Sequence, residues 1–203
     1  FAVVLLPMLF IVAQKETGSA LVYISFFLMF YREGMTGSVL FTGVAMVIYF
    51  VVGIRYEEAL MFDTTTSIGK FAVLLLVQIF TSGMVYVYCK DKQQALTILV
   101  YSVGITLLAL LFAVFVIPFD IVWVQLAVSA GLVGYLVYLW MNRRIKHYLY
   151  ILLFTIGSIA FFYSADYVLN NIMEPHQRVR INVLLGLDED LAGAGYNVHQ
   201  SEI

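Results

Sequence analysis

The sequence predicts an all-α fold, a polytopic bundle of about seven transmembrane helices followed by a long extracytoplasmic loop. Of the 203 residues, 63% are hydrophobic and only 12% are charged, about half the charged fraction of a soluble domain. The mean hydropathy of +0.95 leaves too little polar surface to cover a water-soluble protein of this size. These observations exclude a soluble enzyme and a disordered chain, and the net charge of −2 excludes a nucleic-acid-binding protein.

Seven apolar segments account for this composition. A helix of about 20 apolar residues crosses the hydrocarbon core of a bilayer, and five segments approach that length while two shorter ones precede them. Because the chain begins inside the first segment, we expect it to be part of a longer membrane protein. The predicted spans are Phe1–Ala13, Ser19–Tyr31, Thr36–Ile54, Phe71–Cys89, Ala95–Ile117, Ile121–Met141 and Tyr148–Leu169.

The distribution of Lys and Arg predicts which loops face the cytoplasm. Loops on the cytoplasmic side of a membrane are enriched in these residues. One alternating set of loops carries six basic residues beside only two acids, Glu33 and Asp91, whereas the other set holds five basic residues and most of the acids. The first set is predicted to be cytoplasmic, which places residues 170–203 outside. Its basic residues are Arg32, Lys90, Lys92, Arg143, Arg144 and Lys146.

The segment 170–203 is polar and contains two groups of charged residues. Arg178 and Arg180 alternate with apolar residues, as in an interfacial helix, so they either extend to lipid phosphates or hold a pyrophosphate in bidentate fashion. The run Asp188-Glu189-Asp190 is either a solvated turn or a source of a general base, and its oxygens could also hold Mg²⁺ or Mn²⁺. No synthesis on this face can draw on cytoplasmic ATP, so a donor there must arrive already activated.

Other chemically capable residues carry weaker signals. Lys15 and Glu16 form an opposite-charge pair between two apolar segments and either mark helix ends or contact a ligand. Asp166 lies in the last turns of its predicted helix, where an acid is either water-facing or functional. His176 and His199 lack a third ligand at zinc-binding spacing, and the single cysteine, Cys89, excludes an internal disulfide.

The tail resembles a known family. His176-Gln177-Arg178-Val179-Arg180-Ile181 resembles the (Tyr/His)-Gln-Arg-x-Arg-Ile motif of the SEDS (shape, elongation, division and sporulation) family. The segment from Asp190 to Ser201 resembles its Asp-Pro-x-Gly-x-Gly-Tyr-x-x-x-Gln-Ser motif, with Leu191 in place of the proline. The segment 14–20 is similar to its Gln-Pro-Asp-x-Gly-Thr-Ala motif, with Lys15 and Glu16 as departures. Six predicted crossings separate the segment 14–20 from the tail motifs, whereas the family typically has two. Because both numbers are even, the two motif regions are expected on the same face of the membrane.

The resemblance implies a peptidoglycan glycosyltransferase that polymerises lipid II on the outer face of the bacterial cytoplasmic membrane, for cell elongation and shape. Asp190 matches the family's essential acid and is the implied catalytic residue. The implied partners are lipid II, undecaprenyl-pyrophosphate-linked glycan and a class B penicillin-binding protein. A divalent cation stays open as a cofactor. The candidate substrate-binding residues are Arg178, Arg180, Gln177, Tyr196, Gln200, Lys15 and Glu16.

Two other function classes stay open from the sequence. A transporter or lipid flippase would line a path with Asp166 and the glycine-bearing spans, although few polar residues lie inside the spans; Gln78 and Gln125 are the largest of them. A scaffold would use its helices only to hold partners. For all three function classes, residues 1–169 are predicted to form the helical bundle and residues 170–203 the loop with the motifs.

Overall fold

The computed structural model describes residues 36–61 and 64–172, together with the single positions Met29, Arg32, Gly34 and Ile181. The chain divides into two compact units, residues 1–45 and residues 46–203, and the division falls inside the first described helix. The described part of the first unit consists mainly of the opening turns of that helix. The predicted spans Phe1–Ala13 and Ser19–Tyr31 lie outside the described residues apart from Met29.

The described chain is helical. Five helices are long and apolar enough to cross a membrane, and together they agree with the last five predicted spans. A short π-helical turn, Val168–Ile172, continues the fifth helix. Within the described ranges the only extended pairing is an isolated bridge between Leu60 and Ser67. The helices are α1 (Gly37–Arg55), α2 (Ile68–Cys89), α3 (Lys92–Phe115), α4 (Ile121–Arg143) and α5 (Lys146–Tyr167).

Polar residues at the helix ends explain where the observed bounds differ from the apolar segments. The side chains of Ser67, Asp91 and Asp120 accept hydrogen bonds from backbone N–H groups in the first turns of α2, α3 and α4. Such caps satisfy donors that have no partner within the helix. Because the cap is polar, α2 and α3 each begin three residues before the apolar segment that predicted them.

The second unit is held together around α2. This helix packs against α3, α4 and α5, and α4 packs against both α3 and α5. Buried polar side chains join the helices at their contacts: Gln78 of α2 donates to Ser129 Oγ of α4 at 3.4 Å, and Thr81 Oγ1 lies 2.9 Å from Thr155 Oγ1 of α5. In lipid there is no hydrophobic driving force for helix association. These hydrogen bonds and close packing hold the helices together instead.

Large apolar side chains cover the outside of these helices. Leu108 and Phe115 of α3 are 68% and 78% exposed, and Trp123 of α4 is 72% exposed. A soluble protein would not leave so much contiguous apolar surface in water. Since the backbone hydrogen bonds are satisfied within the helices, this surface is suited to the hydrocarbon of a bilayer. The protein is a membrane-embedded helical protein.

One end of the second unit gathers the α1–α2 loop, the α3–α4 loop and the end of α5. The backbone N–H of Ile121, the first residue of α4, donates to the buried Thr66 Oγ1 of the α1–α2 loop at 2.9 Å. Ser67 Oγ donates to the carbonyl of Glu57 at 2.7 Å, and the N–H of Gly69 donates to the carbonyl of Tyr56 at 2.8 Å. The loop is thereby tied to the start of α2, which fixes the polar residues that it carries.

Candidate functional site

A cluster of four polar side chains lies at this end of the second unit. Asn170 Nδ2 donates to Glu57 Oε1 and to Asp166 Oδ1, both at 3.0 Å. Lys70 Nζ lies 3.8 Å from Asp166 Oδ2. We call Glu57, Lys70, Asp166 and Asn170 the carboxylate cluster. It joins a loop, the start of α2 and the end of α5 through side chains that are up to 113 positions apart in the sequence.

The local backbone explains how the cluster assembles. Asp166 lies in the last turn of α5, and Asn170 follows in the π-helical turn Val168–Ile172. The wider π turn adds a residue to the helical repeat and is found often at functional sites. Asn170 thus reaches back to Asp166 and across to Glu57 with one amide group. The cluster lies just before residues 173–203 in the chain, which contain the motifs.

The Asp166 carboxyl is close enough to influence the ionisation of Glu57. Partial burial of Glu57 is the largest cause that raises its pKa above the usual range, and the neighbouring Asp166 carboxylate raises the pKa further. The Asn170 hydrogen bond and the charge of Lys70 lower the pKa of Glu57, but they do not cancel the rise. Glu57 therefore holds its proton to a higher pH than an isolated glutamate.

This arrangement can exchange protons and form hydrogen bonds with a polar ligand. Asp166 accepts an N–H of Asn170 and lies 3.8 Å from Lys70 Nζ. Glu57 is half-buried, and this burial raises its pKa. Lys70 and Asp166 keep 34% and 22% of their side-chain surfaces exposed, so water and a polar ligand can reach them.

We predict that Glu57 makes the stability of the protein depend on pH. The folded state binds the Glu57 proton more tightly than the unfolded chain, so stability should fall as pH rises from the usual glutamate pKa through the raised pKa of Glu57. Glu57→Gln should flatten this dependence. Thermal unfolding in detergent over a pH series measures it, and Glu58→Gln is the matched control because Glu58 is exposed and adjacent. Equal pH profiles for the two variants would contradict the assignment.

Gln78 and Gln125, the largest polar residues inside the spans, hydrogen-bond to neighbouring helices. Gln78 also accepts from Thr106 Oγ1 at 3.5 Å, and Gln125 Nε2 donates to the carbonyl of Phe71 at 3.2 Å. Gln78 and Gln125 have no exposed surface. These contacts fasten helix to helix, so neither glutamine lines an open polar path in the described chain.

Most of the sequence-predicted site lies outside the described residues. Of the sequence candidates, Asp166 is described, and the structure brings it together with three residues that the sequence reasoning did not single out. The signal for Glu57 and Lys70 was present, since both are charged residues in a loop assigned to the same face as the tail. The candidates outside the described residues are Asp190, Arg178, Arg180, Gln177, Tyr196, Gln200, Lys15 and Glu16.

The described residues do not form a metal site. Among residues 36–61 and 64–172, no three His, Cys, Asp or Glu side chains come together as a metal site would need. The acids Asp188–Asp190, which the sequence offers as ligands for a divalent cation, lie outside the described residues.

No family model, curated protein or solved structure matches the chain.

Proposed function

We propose that the protein is a peptidoglycan glycosyltransferase of the SEDS type that polymerises lipid II into glycan strands. The observation that carries the proposal is the pair of motifs in the tail, His176–Ile181 and Asp190–Ser201, which combine arginines, an acid and glycines at the family's spacing. The tail motifs resemble those of the rod shape-determining protein RodA more closely than those of the division protein FtsW. The proposed role is therefore in cell elongation and shape.

The proposed topology has seven spans in the cytoplasmic membrane, with the tail and the segment 14–20 on the outer face. Six crossings separate these two segments, and five helices of membrane length account for all but one of them. An even number of crossings returns the chain to the same face. The basic residues of the α2–α3 and α4–α5 loops support a cytoplasmic location for the opposite end.

The proposed reaction needs a base, orientation and positive charge. Asp190 takes the proton from the 4-hydroxyl of the acceptor sugar, whose oxygen attacks the anomeric carbon of the growing strand. Undecaprenyl pyrophosphate leaves with the bonding electrons, and a single inversion converts an α-linked donor into a β-1,4 bond. Arg178 and Arg180, or a divalent cation, stabilise the pyrophosphate, whose departure develops negative charge.

The carboxylate cluster supports this proposal through its location. It fastens Asn170, the third residue after α5, to the α1–α2 loop, and the motif-bearing segment follows Asn170 in the chain. Precise orientation of reacting groups accounts for a large part of enzymatic rate enhancement. Asp166 and Asn170 are therefore positioning residues in this proposal rather than catalytic ones.

A vesicle assay separates the three function classes. The protein, purified from its native membranes and reconstituted with fluorescent lipid II, should produce glycan strands that lysozyme digests. Movement of lipid II between leaflets without polymer would identify a flippase. A scaffold would give neither product, even with the class B penicillin-binding protein in the same vesicles. Absence of polymer when that partner is present would overturn the proposal.

A further inference from the structure

An open groove runs between α3 and α4 in the second unit, away from the carboxylate cluster. Its volume is about 540 Å³, and its walls are largely apolar. On α3 the wall extends from Thr97 to Ile105, which corresponds to about 12 Å along the helix axis. This length is close to the half-thickness of the hydrocarbon core, which is about 15 Å.

Small residues on α4 create the groove. Ala127 and Gly131 lie one turn apart, and both are exposed between the bulkier residues of the groove wall. A Cβ added to Gly131 would meet no atom within 4 Å. The facing residues on α3, Tyr101 and Ile105, are 66% and 43% exposed, so the groove opens outward toward the bilayer. Apolar walls alone do not select an occupant, since lipid tails are as apolar as leucine.

Polar and basic residues lie toward one end of the groove. Their charge can select an occupant by its headgroup. Tyr135, at the end of the α4 wall, donates a hydrogen bond to Gln94 Oε1 of α3. Beyond it, Arg143 pairs with Asp91 at 2.6 Å, and Asp91 is the only acid in residues 89–94 and 142–147. Five exposed basic residues lie beyond the groove, at the start of α3, the end of α4 and in the adjoining loops: Lys90, Lys92, Arg143, Arg144 and Lys146.

We propose that this groove is a binding site for an anionic phospholipid. One acyl chain lies between α3 and α4 against Ala127 and Gly131, and the headgroup phosphate contacts Lys92 and Arg144. The charge of the basic end complements a phosphate at the membrane surface, and basic pockets between transmembrane helices recognise such headgroups. The site is separate from the proposed glycosyltransferase chemistry and goes beyond it.

The test measures lipid retention by native mass spectrometry of the purified protein in detergent with added phosphatidylglycerol or phosphatidylcholine. We expect retention of phosphatidylglycerol to exceed that of phosphatidylcholine by about fivefold for each basic residue that contacts the headgroup. Gly131→Leu fills the groove and should abolish the preference. Gly134→Leu is the matched control: Gly134 is exposed on the same helix, has open space around it and does not line the groove.

A second pair of variants tests the headgroup contact. Lys92→Gln and Arg144→Gln should each lower the preference for phosphatidylglycerol about fivefold, whereas Arg55→Gln, at an exposed arginine that does not border the groove, should not. Equal retention of the two lipids by the wild-type protein would overturn the proposal, as would equal effects of Gly131→Leu and Gly134→Leu. Loss of a dimer in Gly131→Leu with unchanged lipid retention would assign the groove to a second copy instead. Because glycan synthesis is not measured, failure here is distinguishable from failure of the proposed function.

Discussion

Replacing Asp190 with Asn is expected to abolish glycan-strand synthesis, with a loss of at least about a hundredfold in turnover. Asparagine keeps the shape and hydrogen-bonding size of the side chain but cannot accept the proton of the attacking hydroxyl. In the proposed mechanism Asp190 is the group that accepts this proton. The reconstituted lipid II assay measures the loss as disappearance of lysozyme-sensitive polymer.

Two controls separate a lost base from a lost fold. Glu189→Gln removes the neighbouring acid of the same run, so it should retain most of the activity. Membrane insertion and thermal stability of Asp190→Asn should equal those of the wild-type protein, because the change keeps the size of the side chain and lies outside the predicted apolar segments. Retained polymerisation by Asp190→Asn would refute the catalytic assignment.

The helices could be predicted from the sequence because their signal is local. Each of the five described spans is a long apolar run, and the predicted and observed ends agree within a few residues. The remaining differences come from polar caps such as Ser67 and Asp91, which continue a helix beyond its apolar part. Composition and periodicity carry this information without any knowledge of tertiary contacts.

The contacts between helices could not be predicted in the same way. The hydrogen bond from Asn170 to Glu57 joins residues far apart in the chain, and neither residue belongs to a recognisable motif. The groove beside Gly131 depends on which face of α4 meets α3. Gly131 and Gly69 are both glycines in helices, yet Gly131 borders open space whereas Gly69 is in close contact with backbone. Only the packing distinguishes the two.

Gly69→Ala is expected to destabilise the protein by about 3 kcal/mol. A Cβ at Gly69 would lie 2.4 Å from the carbonyl oxygen of Gly53 and about 3 Å from backbone atoms of Tyr56 and Glu57. Backbone atoms cannot rotate away as the end of a side chain can, so α1 and the loop after it would have to shift. The N–H of Gly69 donates to Tyr56 at this contact, and that hydrogen bond would lengthen as well.

Gly83→Ala is the matched control because Gly83 lies in the same helix with no atom near its Cβ position. In a helix interior alanine is favoured over glycine by roughly 0.5–1 kcal/mol, so this variant should be as stable as the wild-type protein or more stable. Thermal unfolding in one detergent measures both. Gly69→Ala should also weaken the pH dependence assigned to Glu57, since the loop that presents Glu57 to Asp166 and Asn170 is displaced. Equal stability of the two variants would mean that α1 and α2 are not in close contact at Gly53 and Gly69, and the carboxylate cluster would then lose the loop anchor on which it depends.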